Sequence, residues 1–310
     1  MQVEHVDFWS AGTRCAADLY VPEGRASGAG LVIGHGFRQT KEALTEEGRY
    51  FCEAGYTVLA IDYRTFGESD GEPRGQLFPR NQVEDFRNAI TFLSRRPGVD
   101  PARIGIWGVS FGGAVVIQTA AFDRRVRAVV AQSPVVDGRR WIREMRSGHE
   151  WETLVQSLQE DFVQRYGGDA APAMAEGFAM EARPRPGAGP APSGPNPRNP
   201  NPVTFSAQLQ KSYRPSILLE SFERVIDFNP TDVIDMIAPR PILIIANGGY
   251  DQTHFVHHIQ DAFKAAGEPK ELAILPYDGF ELYQEPGRGD AMRRAIDFFD
   301  RYLRSPNEHQ

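Results

Sequence analysis

Arg103-Ile104-Gly105-Ile106-Trp107-Gly108-Val109-Ser110-Phe111-Gly112-Gly113 is the stretch whose reading decides the fold. An apolar run of strand length leads into Gly-x-Ser-x-Gly, and a small-residue helix is expected to open near Ala114. That order of strand, tight turn and helix is a nucleophile elbow. The turn has no room for side chains at Gly108 and Gly112, and it holds Ser110 proud of the sheet. The backbone N–H of Phe111, at the mouth of the helix, is placed to stabilise an oxyanion formed when the serine attacks a carbonyl. The competing reading of the same residues is a glycine-rich turn whose serine caps a helix.

Working outward, strands and helices alternate on both sides of the elbow. His5 to Tyr20 alternates around Ser10-Ala11-Gly12-Thr13 and predicts a hairpin, and Ala29 to Ile33 predicts a buried strand. That strand enters Gly34-His35-Gly36-Phe37, where the N–H of Phe37 is the expected second oxyanion donor and His35 is expected to bond its own loop. Lys41 to Ala54 has helical periodicity and stops at Gly55; Thr57 to Ile61 is the next strand. The polar loop from Asp62 to Gly71 leaves that strand on the elbow's edge of the sheet, where it is expected to line the site. Arg80 to Ser94 carries Val83, Phe86, Ile90 and Leu93 on one helical face, and Val126 to Ala131 is a further strand. The pattern predicts an α/β fold: a doubly wound, mostly parallel sheet with its active residues at the carboxyl ends of the strands.

After Ser133-Pro134 the alternation stops until Pro241. Residues 141–228 are expected to form an insertion, with core at 1–140 and 229–310. A Pro, Gly, Ala and Asn-rich run near 167–202 reads as a flexible loop within it. Trp141, Trp151, Phe162, Tyr166, Phe205, Tyr213 and Phe222 suit the roof of an apolar pocket, as a lid; a dimer-forming excursion has the same composition. The sheet resumes with Pro241 to Ala246 and ends in Asn247-Gly248-Gly249-Tyr250-Asp251. Asp251 stands where a serine hydrolase places the carboxylate that orients its histidine. A helix from Ile259 to Ala266, a strand from Glu271 to Leu275 and a helix from Asp290 to Leu303 complete the chain.

Composition bounds the function. A net charge of -7 argues against nucleic acid as a partner and identifies no substrate, and the acidic, 41% hydrophobic chain suits one large cytoplasmic domain with an insertion. Cys15 and Cys52 are too few for a disulfide framework and are expected to be buried free thiols. No signal peptide, membrane span, metal site or cofactor is expected, and a homodimer is the assembly the insertion would allow.

The loop Gly34 to Phe37, the loop Asp62 to Gly71, Gly108 to Gly113 and the strand ending at Asp251 together resemble the α/β-hydrolase superfamily. The resemblance covers nearly the whole core. Arg80 to Phe86 and Ile237-Ala238-Pro239-Arg240-Pro241-Ile242-Leu243 are similar to its dienelactone-hydrolase-like, bacterial esterase or thioesterase branch, whose fungal relatives act on polyketide acyl groups. In that branch the triad base is a histidine in a Gly-His-Phe phrase near the end of the chain. Here the phrase is Asp278-Gly279-Phe280-Glu281-Leu282-Tyr283, and glycine stands at the histidine's position.

The replacement leaves two mechanisms. In one, the triad is incomplete, and elbow and oxyanion donors steer a non-hydrolytic step, a cyclisation, isomerisation or lyase reaction, on an apolar carbonyl-containing natural-product intermediate. In the other, a serine esterase, thioesterase or acyltransferase works through Ser110, Asp251 and a relocated base, His254, which could equally be a helix-start or interface histidine. His257 and His258 are weaker substitutes for that base. The sequence favours the first by the gap at Gly279. A catalytically silent scaffold is disfavoured by the intact elbow.

Overall fold

The computed structural model describes residues 1–24, 26–166, 168, 173–176, 216–251 and 253–304. Runs such as Leu31-Val32-Ile33, Val58-Leu59-Ala60-Ile61 and Ile242-Leu243-Ile244-Ile245 have no polar face, so their strands are stable only when covered on both sides. Neighbouring residues accordingly go to opposite cores. Val32, Ile106, Val129 and Ile244 pack beneath one helical layer, while Leu31, Ile33, Trp107, Val130 and Ile245 pack beneath the other.

Ten strands are described: β1 (Gln2–Ser10), β2 (Thr13–Val21), β3 (Gly30–Gly34), β4 (Thr57–Ile61), β5 (Ile104–Val109), β6 (Val126–Gln132), β7 (Met174–Glu176), β8 (Ser216–Leu218), β9 (Ile242–Asn247) and β10 (Lys270–Leu275). Eight of them form one sheet in the order β1-β2-β4-β3-β5-β6-β9-β10. The first two pairings, β1 with β2 and β2 with β4, are antiparallel, and the rest are parallel. Register places the site: Gly34 pairs with both Ile61 and Gly108, Val109 with Gln132, and Gln132 with Ile245. The loops that follow β3, β4, β5, β6 and β9 therefore open on one edge, where doubly wound sheets bind their ligands.

On one face lie α1 (Thr45–Glu53) and the last helix, α8 (Gly287–Leu303); on the other lie α2 (Pro79–Leu93), α3 (Phe111–Phe122) and α7 (Val256–Ala265). Differences from the sequence reading sit at the helix starts. Lys41–Leu44 is a separate 3-10 turn, and α3 begins at Phe111 rather than near Ala114, because the left-handed Ser110 turns the chain directly into the helix. Cys15 and Cys52 are buried and free; burial pushes their thiols up to about 12 and about 11.

The insertion contributes α4 (Gly138–Glu144), α5 (Gly148–Arg165), the β7–β8 ribbon and α6 (Glu220–Ile226). As an inserted lid, it is anchored at the site edge. Leu218 N–H donates to Gly75 O at 3.0 Å, and Leu77 N–H donates to Ser221 Oγ at 3.1 Å. Its expected roof is only partly as read. Trp141 and Phe222 are buried, whereas Phe162 and Tyr166 face solvent on α5; Phe205, Tyr213 and nearly all of the run near 167–202 lie outside the described residues. No described helix is long and apolar enough to cross a membrane.

Candidate active site

The elbow is built by close approach of backbones. A Cβ on Gly108 would lie 2.2 Å from Gly112 O, and one on Gly112 would lie 2.5 Å from both Gly34 O and His35 O. Any side chain at either position would drive α3 off the sheet and off the Gly34–Phe37 loop. Ser110 sits at φ 55° and ψ -118°, a conformation that costs of order 1–3 kcal/mol and persists because its surroundings over-determine it. Its N–H donates to Gln132 O at 2.8 Å, and its carbonyl accepts from Val135 N–H at 3.1 Å. The Ser110 side chain does not cap α3. Instead Ser110 Oγ lies 2.8 Å from His254 Nε2.

The same imidazole reaches back to the acid: His254 Nδ1 is 2.7 Å from Asp251 Oδ2. Both side chains are buried. All acceptor capacity of that carboxylate is engaged. Oδ2 also accepts from Asn247 Nδ2 at 2.8 Å, while Oδ1 accepts from Thr253 N–H at 2.7 Å and Thr253 Oγ1 at 2.8 Å. Burial by itself raises the Asp251 pKa, but His254 and the Thr253 donors outweigh it and hold the carboxyl well below the usual range. Asn247 is fixed in turn by Ser133, whose Oγ is 3.0 Å from Asn247 Oδ1. A chain of side chains thus runs from β6 and the end of β9 to the elbow. The Thr253 contact is an Asx-type turn, and Asp followed two residues later by Thr is the signal by which it was findable. The bond to Asn247 had no sequence signal.

The geometry corrects the expectation of an incomplete triad. Gly279 does lie beside the acid, since a Cβ there would be 3.3 Å from Asp251 Cγ. The ring that reaches Ser110 comes from the acid's own loop instead. His257 and His258 meet Glu144 instead.

The loop after β3 closes the other side. A Cβ on Gly36 would be 3.3 Å from Ser110 Cβ, which brings the backbone leading to Phe37 against the serine. The N–H of Phe111 heads the first turn of α3, where no preceding turn supplies a carbonyl. Burial lowers His35 to about 4, so its ring is neutral, and its Nδ1–H donates to Gly36 O at 3.0 Å. The Asp62–Gly71 loop meets the site through this ring rather than by lining it: Tyr63 and His35 stand edge to face at 4.6 Å. Asp62 itself accepts from Lys41 N–H at 2.7 Å and Glu68 N–H at 2.9 Å.

Aromatic rings from the insertion cover the two oxyanion candidates. Trp141 packs at 5.2 Å from Phe37 and 6.2 Å from Phe111, Phe222 at 6.4 Å from Phe37, and Phe228 at 6.1 Å from Phe111. Trp141 Nε1–H donates to Thr253 O at 2.7 Å, which ties α4 to the loop that carries Asp251 and His254.

Comparison with known proteins agrees with this architecture. The X-Pro dipeptidyl-peptidase (S15) family matches residues 11–278. A polyketide transferase of Penicillium crustosum, claH, is 30% identical over 255 residues, covering 82% of this chain and 81% of its own. A thiohydrolase of Aspergillus aculeatus, aneE, is 28% identical over 276 residues, covering 84% of this chain and 80% of its own. The crystal structure of the α/β hydrolase GrgF from a Penicillium species superimposes with a TM-score of 0.79 at 24% identity, over 98% of this chain and 99% of that one. With the elbow, the strand order and a family match across most of its length, the chain belongs to the X-Pro dipeptidyl-peptidase (S15) family and is an enzyme of the α/β-hydrolase superfamily.

Proposed function

We propose that the protein is a serine acyl hydrolase or acyl transferase in which Ser110 is the nucleophile, His254 its base and Asp251 the orienting acid. The observation that carries this reading is the unbroken pair of contacts, 2.8 Å from Ser110 Oγ to His254 Nε2 and 2.7 Å from His254 Nδ1 to Asp251 Oδ2. In the first step Ser110 Oγ attacks an acyl carbonyl while His254 Nε2 takes its proton. The backbone N–H groups of Phe111 and Phe37 receive the oxyanion, and His254 returns the proton to the leaving group. Asp251, held ionised by its other donors, keeps the Nδ1 proton in place and stabilises the imidazolium. The acyl-enzyme is then resolved by water in hydrolysis, or by an alcohol, amine or thiol in transfer. The non-hydrolytic reading rested on a missing base at Gly279, and a histidine within hydrogen-bond reach of Ser110 removes its motive.

The names of the relatives and the rings of Phe37, Phe111, Trp141 and Phe222 support an apolar, polyketide-like acyl thioester or ester as the substrate class. The test is labelling with a fluorophosphonate, followed by a burst assay on an acyl thioester. Rapid, stoichiometric modification of Ser110 that disappears in His254→Ala is the expected result. Slow labelling indifferent to His254→Ala would overturn the proposal and return the elbow to a binding role.

A further inference from the structure

The acyl chemistry leaves unused a second group of titratable side chains just behind His254. His257 and His258 open α7, and both rings converge on Glu144, the last residue of α4. His257 Nε2 is 3.2 Å from Glu144 Oε1, and His258 Nε2 is 3.0 Å from Glu144 Oε2. One donor atom from each of the three residues lies within 4.8 Å of the others. Atoms held about 2.0–2.1 Å from a tetrahedral zinc stand about 3.3 Å apart, and each imidazole already stands at about that distance from one of the two Glu144 oxygens.

His258 supplies an independent sign. Its side chain is only 4% exposed, and its Nε2 stands 3.0 Å from Glu144 Oε2 without the alignment of a regular hydrogen bond, so the buried nitrogen is aimed into the cluster and only loosely held there. Its orientation is fixed by packing, with Phe255 at 5.1 Å and His257 edge-on at 4.5 Å. Arg140, one turn back on α4, is engaged by Asp261 at 3.2 Å. His257 and Glu144 remain open to solvent, which gives an ion a path in and a place for water as a further ligand.

The other acidic group, Glu42, Asp62 and Glu68, differs in kind. There the Lys41 ammonium already stands 3.0, 3.7 and 2.6 Å from the three carboxylates and occupies the cation's place.

We propose that Glu144, His257 and His258 bind a divalent transition-metal ion of the imidazole-preferring class, zinc foremost, and that the ion cross-links α4 of the insertion to α7. Trp141 already joins α4 to Thr253, so the ion is a second tie between the insertion and the segment that carries the catalytic histidine. The site is separate from Ser110 and does not depend on the acyl chemistry.

The test titrates the chelator-stripped full chain with Co²⁺ and Zn²⁺. One equivalent of Co²⁺ is expected to give tetrahedral visible absorption, and Zn²⁺ is expected to raise Tm by a few degrees, with neither effect from Mg²⁺. His257→Gln and Glu144→Gln, both at partly exposed positions, should each weaken binding by about tenfold or more. His254→Ala should leave the affinity unchanged. Absence of both signals at millimolar metal, unchanged affinity in the two glutamine variants, or loss of binding in His254→Ala would each overturn the proposal; the last would place the ion at the triad.

Discussion

Asp251→Asn is the substitution whose outcome the structure determines most tightly. The carboxylate accepts four hydrogen bonds, two on each oxygen, and an amide offers only one acceptor atom. If the amide oxygen stays with Thr253, the amide N–H₂ faces Asn247 Nδ2 and His254 Nδ1. His254 must then present Nδ1 as an acceptor and carry its proton on Nε2, directed at Ser110 Oγ, where it cannot take the serine proton. If the amide turns over, the N–H₂ meets the buried N–H and hydroxyl of Thr253, at about 1–3 kcal/mol for each donor left unpaired. The first arrangement leaves the Asn247 N–H₂ unpaired, and it is the one that costs catalysis. A histidine locked in the wrong tautomer costs about 10⁴ in kcat in the well-studied serine protease triad, or about 5.4 kcal/mol of barrier. The same order is expected here, with a stability loss of about 1–3 kcal/mol from the Asn247 N–H₂ left facing another donor. The assay is kcat for a p-nitrophenyl ester, with fluorophosphonate labelling in parallel and Tm as the control. A well-folded Asp251→Asn variant that retains activity within tenfold of wild type would refute the assignment of His254 as base.

Three further outcomes follow from particular contacts. Gly279→His introduces a ring whose Cβ stands 3.3 Å from Asp251 Cγ; it is expected to restore part of the esterase activity in a His254→Ala background, and no gain in a folded double variant would show that this position cannot serve Ser110. Trp141→Ala removes the bond to Thr253 O and the rings over Phe37 and Phe111; a stability loss of about 3–5 kcal/mol in urea unfolding is expected together with a raised KM, and an unchanged KM would detach the insertion from substrate binding. His35 is lowered to about 4 by burial, so the unfolded chain binds its proton first as the pH falls. Its contribution is complete above about 6.5, the ordinary histidine value, and is lost as the pH falls toward 4, by about 3 kcal/mol; His35→Asn should flatten the stability profile across that window, and an unaltered slope would refute it.

The sequence by itself determined the sheet and pointed to half of the candidate site. Strands such as Thr57–Ile61 and Ile242–Asn247 are legible because a fully buried parallel strand has to be apolar on both faces. Ser110 is legible because only glycine fits at 108 and 112, and Asp251 because it follows a strand at the edge where such sheets place their chemistry. The base was legible only as a candidate, His254, with a helix-start or interface histidine as its equal alternative. Whether a histidine three residues beyond Asp251 faces Ser110, 144 positions away in the chain, depends on how the loop after β9 curls, and the Thr253 and Trp141 contacts that set the curl are local geometry and a long-range bond from the insertion. Resemblance directed attention to Gly279, where the usual histidine is absent. Only the packed loops show that the space between carboxylate and serine is filled from the acid's own side. Tertiary structure decided the convergence of Glu144 with His258 for the same reason: the partners sit on separate elements, and sequence spacing carries no information about which faces of those elements meet.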